Sequence, residues 1–137
     1  MKQMVEYSKT VEAAGLEPSL IELVKIRASQ INGCAICLQM HAEEAHRQGE
    51  SHNRILMLDA WGEAELYTAR EKAALAWTEA LTRLTKTRAP DEDYAAAKAE
   101  FSDEELIKLT LMINVINSFN RIGVGFRRAP ITLPKAT

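Results

Sequence analysis

The chain has two cysteines, and they lie three positions apart in the run Asn32-Gly33-Cys34-Ala35-Ile36-Cys37, with His41 four positions further on. A helix that begins near Cys34 brings residues 34, 37 and 41 onto one face, because each turn takes about 3.6 residues. Two thiols and an imidazole would then share one small volume. Thiols with a nearby base can form a thiolate, exchange with a disulfide and move protons, so the spacing predicts a redox site.

The predicted helix start gives a chemical reason to expect reactive cysteines at this site. Free N–H groups and the helix dipole stabilise a negative charge there, so a cysteine pKa can fall from about 8.5 to between about 3.5 and 7.5. A thiolate attacks a peroxide oxygen to give a sulfenic acid, and a second thiol condenses with it to form a disulfide. Cys34 lies nearer the helix start, so the dipole argument alone favours Cys34 as the attacking residue.

Two other interpretations of the thiol pair stay open at this point. Cysteines flanked by apolar residues in a helix are often ordinary core residues. A structural zinc site needs four ligands. Cys34, Cys37 and His41 supply three, and only His46 and His52 remain as further histidines. No second cysteine pair completes the usual zinc pattern, so we predict neither a metal nor a bound cofactor.

Glu22 is the fourth candidate, twelve residues before Cys34 on the helix predicted to precede it. If the two helices form a hairpin about Asn32-Gly33, Glu22 can approach the cysteines and orient His41. The same residue also fits a capping box, Ser19-Leu20-Ile21-Glu22, in which its side chain would accept from the Ser19 backbone. From spacing alone, capping is the favoured role.

Composition narrows the class of protein. The chain has 137 residues, of which 47% are hydrophobic, and a formal net charge of −2, so we expect one domain with an apolar core and no electrostatic footprint for nucleic acid. No apolar run approaches the roughly 18 residues of a membrane span, and the N-terminal residues lack the apolar region of a signal peptide. We therefore expect a cytoplasmic protein, where thiols are kept reduced.

Helical periodicity and the near absence of strand signals predict an all-α fold of about six or seven helices. The first helix is predicted to bury Met4, Tyr7, Val11 and Ala14. Capping-box patterns at Thr68–Glu71 and Ser102–Glu105 predict the starts of two later helices. The other predicted helices begin near Pro18, Cys34, His52 and Asp91.

The two helices with capping boxes carry further predictions. The earlier one is predicted to have Leu84 on its inner face. The later one is the longest, and its apolar residues cover nearly the whole circumference, so it should be central or partly covered by another subunit. Near its end, Asn117, Asn120 and Arg121 either shape the site, bridge subunits or cap carbonyls. Residues 127–137, with Pro130 and Pro134, are predicted to form a tail.

The combined spacing of Glu22, Cys34, Cys37 and His41 resembles the signature of the AhpD-like alkylhydroperoxidases, which belong to the wider carboxymuconolactone decarboxylase family. The surrounding segments resemble the same family and lie at residues 23–33, 41–45, 58–61, 73–80 and 116–121. The resemblance covers about residues 10–126, so residues 1–137 are predicted to form one AhpD-like helical domain with a C-terminal tail.

The resemblance implies an all-helical fold that assembles as trimers or as hexamers built from them. It implies that Glu22 and His41 form a proton relay, so it reverses the preference for a capping role of Glu22. It also implies that Cys37 attacks and Cys34 resolves. The decarboxylase branch lacks the cysteine pair, which argues against lactone decarboxylation here. Well-known members carry a histidine between the cysteines, where this chain has Ala35 and Ile36, so we expect either a simpler relay or a weaker peroxidase activity.

Three functions follow from these observations. The first is a thiol peroxidase for small organic hydroperoxides or hydrogen peroxide, regenerated by an external dithiol such as a thioredoxin-like or lipoyl-bearing protein. The second is a disulfide reductase or electron-transfer adaptor that acts on a partner's dithiol or lipoyl group. The third is a non-catalytic helical oligomer, in which the thiols serve as a redox sensor or fill space.

Overall fold

A computed structural model describes residues 1–130, which contain eight α-helices, one 3₁₀ turn and no strand. The prediction of an all-α fold is confirmed. The short 3₁₀ turn, Met57–Ala60, directly follows the fourth helix. The α-helices are α1 Lys2–Glu12, α2 Pro18–Asn32, α3 Ala35–Arg47, α4 His52–Leu56, α5 Ala69–Thr82, α6 Leu84–Thr87, α7 Asp91–Glu100 and α8 Asp103–Gly125.

A tight turn at Gly33 joins α2 to α3 and gives the predicted hairpin. Gly33 has a φ of 67°, in the left-handed region that glycine adopts without steric cost. The N–H of Cys34 donates to the carbonyl of Ser29 at 3.0 Å, which closes the end of α2 in the manner of a Schellman motif. The turn therefore delivers Cys34 directly to the start of α3.

The most deeply buried helix is α2, in which all residues from Leu20 to Ser29 are buried. It packs against α3, α5 and α8. The longest helix, α8, buries one side only, and Ile107 on its other side is 62% exposed. The prediction that α8 is the central element is therefore wrong for one chain. That another subunit covers part of α8 stays a prediction.

Two side chains predicted to face the core are exposed. Helix α5 ends at Thr82, and the chain turns at Arg83 into the one-turn helix α6, so Leu84 leaves the α5 face and points to solvent. In α1, Tyr7 is exposed while Ser8 beside it is buried. The Ser8 hydroxyl donates to the Glu12 carboxylate at 3.0 Å, which satisfies this buried polar group.

Helix starts agree with two of the three predicted capping boxes. Thr68 with Glu71 and Ser102 with Glu105 each form both reciprocal hydrogen bonds. The box predicted at Ser19–Glu22 is absent, because α2 already begins at Pro18, whose ring fixes φ at a helical value in the first turn. Glu22 thus lies in the second turn, where its side chain is available for other partners.

No helix within the described residues is both long and apolar enough to cross a membrane. Helix α8 ends at Gly125, and residues 126–130 continue without regular helix. Pro134 and the rest of the predicted tail lie outside the described residues.

Candidate functional site

The two sulfur atoms lie at the N-terminal end of α3. Cys34 is the N-cap residue and Cys37 falls in the first turn, and the two side chains form a disulfide. Cys34 is only 1% exposed, whereas Cys37 is 6% exposed. The helix start supplies backbone N–H groups and the positive end of the dipole, which stabilise a thiolate when the pair is reduced.

His41 follows Cys37 by one turn of α3 and pairs with Glu22 of α2. The distance between Nδ1 of His41 and Oε2 of Glu22 is 3.1 Å. An ionised carboxylate only accepts hydrogen bonds, so we assign the proton of a neutral His41 to Nδ1. Nε2 is then left as the acceptor that can take a proton from a thiol. The hairpin therefore brings together all four residues singled out in the sequence.

Lys25 is a residue of this site that the sequence reasoning missed. It is 5% exposed, and its Nζ lies 2.7 Å from Oε1 of Glu12 and 3.6 Å from Oε1 of Glu22. Burial alone raises the pKa of Glu12, but the hydrogen bond and charge of Lys25 and the hydrogen bond from Ser8 outweigh burial and lower it. A buried ammonium group thus joins two carboxylates, one of which holds His41.

One signal in the sequence could have identified Lys25. It stands within the stretch Leu20–Ile26, where every residue other than Glu22 and Lys25 is aliphatic. The two charged residues are three positions apart, so they lie on one face of the helix. Charged residues in such a stretch are buried together with a partner, and the partner from outside α2 is Glu12.

A pocket of about 320 Å³ opens beside Cys37 and His41. Cys34 does not line it, so Cys37 is the cysteine that a small molecule in the pocket would meet. Most of its wall is apolar, and Arg128 lies among its lining residues. The apolar lining comes from three helices and the N-terminus: Met1, Val5, Ile36, Met40, Val115, Ile116 and Phe119.

A second, polar depression of about 600 Å³ is also lined by His41. Glu22 lines this depression, as do the charged residues Glu43, Glu44 and Arg47. His41, Lys25, Glu12 and Met40 line both spaces. The imidazole therefore borders both an apolar pocket that is lined by Cys37 and a polar surface that can exchange protons with water.

Amide side chains fasten α8 to the end of α2, next to the cysteines. The Asn32 side chain donates to Oδ1 of Asn117 and to Oδ1 of Asn120, both at 2.9 Å. Asn120 in turn donates to the Ser29 hydroxyl at 3.0 Å. Asn117 and Asn120 thus shape the site by holding two helices together, whereas Arg121 is exposed.

Comparison with known proteins identifies a family and related sequences. Residues 1–80 match the model of the carboxymuconolactone decarboxylase family. The uncharacterised protein YdfG of Bacillus subtilis is 41% identical over 125 residues, which cover 91% of this chain and 85% of YdfG.

Solved structures with the same fold include a protein of unknown function from Agrobacterium tumefaciens, described as a candidate AhpD antioxidant defence protein. It is 42% identical, with a TM-score of 0.94 over 96% of this chain and 90% of that protein. The debrominase Bmp8 is 18% identical, with a TM-score of 0.86 over 95% of this chain and 70% of Bmp8. The second likeness concerns the fold alone.

Proposed function

The chain belongs to the carboxymuconolactone decarboxylase family as an AhpD-like member, and from this premise we propose that it is a thiol-dependent peroxidase acting on organic hydroperoxides. One observation carries the proposal: Cys37 lines an apolar pocket together with His41, and Glu22 holds the far nitrogen of that imidazole. The arrangement pairs a nucleophile with a base and an orienting group.

In the first step, the Cys37 sulfur attacks the terminal oxygen of the hydroperoxide. Nε2 of His41 takes the thiol proton, the new S–O bond forms and the O–O bond breaks. The departing alkoxide receives the proton from His41 and leaves as an alcohol. Cys37 is oxidised to a sulfenic acid and the peroxide is reduced, so two electrons pass from sulfur to oxygen.

In the second step, the Cys34 sulfur attacks the Cys37 sulfenic acid. The S–O bond breaks, an S–S bond forms, and the hydroxide leaves as water with the Cys34 proton. Two thiols and one hydroperoxide thus become a disulfide, an alcohol and water. The position of Cys34, buried behind Cys37 and next to it at the helix start, supports this resolving role.

The next cycle needs an external dithiol, thioredoxin-like or lipoyl-bearing, that supplies two electrons and two protons. Its thiolate would attack Cys37, the more exposed of the two sulfur atoms, through a mixed disulfide. An adaptor that only exchanges disulfides with a partner is the competing function. The apolar wall beside Cys37 favours the peroxidase, because a small organic molecule can be bound there before reaction.

Self-association into trimers or hexamers belongs to the same proposal. Large apolar side chains exposed on one chain support it, among them Ile107 in α8 and Phe126 just after that helix. Light scattering of the purified protein gives its mass in solution. A multiple of three chains is expected, and a monomeric mass at micromolar concentration would remove this part of the proposal.

Steady-state peroxide consumption tests the function. With dithiothreitol as the reductant, wild-type protein should consume cumene hydroperoxide catalytically, and faster than hydrogen peroxide because cumene hydroperoxide can use the apolar wall. Cys37→Ser should show only the background rate. A protein that exchanges disulfides rapidly with dithiothreitol yet consumes no peroxide would instead be an adaptor.

A further inference from the structure

We propose that Gly123 of α8 is a positioning residue that favours the disulfide form of the Cys34–Cys37 couple. Its missing side chain leaves the space that the Cys34 sulfur occupies in the disulfide. The inference rests on the proposed function only in treating the two cysteines as a reversible redox couple. Gly123 lies more than 80 positions after the cysteines in the sequence. The inference adds it to the residues that influence their dithiol–disulfide equilibrium.

The geometry at Gly123 is unusually close. A Cβ atom at this position would lie 2.7 Å from Sγ of Cys34 and 3.4 Å from Sγ of Cys37. It would also lie 3.3 Å from Cγ2 of Ile36. Non-bonded carbon atoms prefer about 3.5–4.0 Å and sulfur is larger, so the first of these contacts is a clash. Either α8 or the Cys34 sulfur would have to move.

Helix α8 is held in place beside the cysteines. Asn120, one turn before Gly123, is buried and bonded to both Ser29 and Asn32. The backbone of Cys34 is also fixed, since its N–H donates to Ser29 at 3.0 Å and its carbonyl accepts from Leu38 at 2.9 Å. Movement of either backbone would break several of these hydrogen bonds.

The Cys34 sulfur is therefore the atom that would move. A free thiol can rotate about the Cα–Cβ bond of Cys34 into another staggered position, whereas a sulfur bonded to Cys37 cannot. A Cβ at residue 123 consequently disfavours the disulfide more than the dithiol. Any group that interacts differently with two states shifts their equilibrium, so Gly123→Ala should favour the reduced form.

The experiment measures the equilibrium between the protein and dithiothreitol. Reduced dithiothreitol transfers two electrons and two protons to the protein disulfide and becomes oxidised dithiothreitol. Alkylation with a maleimide and mass spectrometry then count the protein thiols at each buffer ratio. Gly123→Ala should shift the equilibrium about tenfold toward the dithiol, the effect of modest overpacking. For a two-electron couple this is a potential about 30 mV less negative.

Gly125→Ala is the matched control. Gly125 lies in the same helix, and a Cβ there meets no described atom within 4 Å. Alanine stabilises a helix relative to glycine in both variants, but only the Cβ atom of Gly123→Ala lies close to a sulfur atom. Gly125→Ala should keep the wild-type equilibrium. An unchanged equilibrium in Gly123→Ala, or an equal shift in both variants, would overturn the proposal.

A folding defect in Gly123→Ala is itself informative. The double variant Cys34→Ala with Gly123→Ala lacks the clashing sulfur and should fold as well as Cys34→Ala alone. If the double variant also fails to fold, the clash with sulfur is not the cause and the proposal falls. None of these measurements uses a peroxide, so a wild-type protein that ignores hydroperoxides would remove the proposed function and leave this inference standing.

Discussion

The carboxylate of Glu22 and the imidazole of His41 come from different helices, yet Oε2 of the first lies 3.1 Å from Nδ1 of the second. The left-handed turn at Gly33 makes this contact possible, because it folds α3 back against α2. The same turn places Cys34 and Cys37 at the start of α3. One local feature of the backbone thus brings the two cysteines, the imidazole and the carboxylate together.

The two cysteines should behave differently when each is replaced. Cys37→Ser should abolish reaction with cumene hydroperoxide, because Cys37 lines the pocket and Cys34 does not. Cys34→Ser should permit one turnover and leave a sulfenic acid on Cys37, which dimedone labelling and mass spectrometry detect. If Cys37→Ser is the variant that accumulates a labelled sulfenic acid, the roles of the two residues are exchanged.

Glu22→Gln should lower the rate constant for the reaction with hydroperoxide by about tenfold to hundredfold, a part of the roughly 10²–10⁴-fold that a general base contributes, because His41 loses its orienting partner. Glutamine keeps the size of the side chain but removes the charge that fixes the His41 proton on Nδ1. Glu43→Gln is the control, because Glu43 lines the same polar depression and is exposed. Equal rates for Glu22→Gln and wild type would exclude Glu22 from the relay.

Lys25→Met should destabilise the protein by about 2 kcal/mol or more, since it leaves the buried Glu22 carboxylate without its cation. Urea unfolding of the reduced protein measures the change. Lys9→Met removes an exposed partner of Glu6 and should change stability by less than about 1 kcal/mol. Similar losses in both variants would show that Lys25 contributes no more than a surface charge.

Stability in acid should depend on Glu105 at the start of α8. The hydrogen bond from the Ser102 backbone, followed by that from Arg70, lowers the pKa of Glu105 from 4.5 to about 2. A lowered pKa in the folded state stabilises the protein above the unfolded value, and this contribution is lost as the pH falls from about 4.5 toward 2. The unfolding temperatures of wild type and Glu105→Gln should therefore converge over that range. Parallel curves would contradict the assignment.

Much of this site could be predicted because its signals are local. The spacing of Cys34, Cys37 and His41 predicts that they share one face of one helix, and Asn32-Gly33 predicts the turn before that helix. The capping boxes at Thr68 and Ser102 depend on residues three positions apart and are confirmed. The role of Glu22 is ambiguous in the sequence, because its two possible roles differ in whether α2 begins at Pro18 or only after Ser19.

Two of the missed features depend on contacts between segments that are distant in the sequence. Lys25 acquires its role from Glu12, which belongs to another helix. The closeness of Gly123 to sulfur depends on how α8 crosses the start of α3. Leu84 fits the apolar period of α5 but lies beyond the turn at Arg83, and no periodic pattern reports such a break.

The most direct test of the central claim is a single turnover followed by mass spectrometry. Fully reduced wild-type protein, mixed with one equivalent of cumene hydroperoxide, should lose the mass of two hydrogen atoms and release one equivalent of the alcohol. Peptide mapping should locate the new bond between Cys34 and Cys37. Unchanged thiols, with the hydroperoxide intact, would contradict the claim that these residues form a peroxidase site.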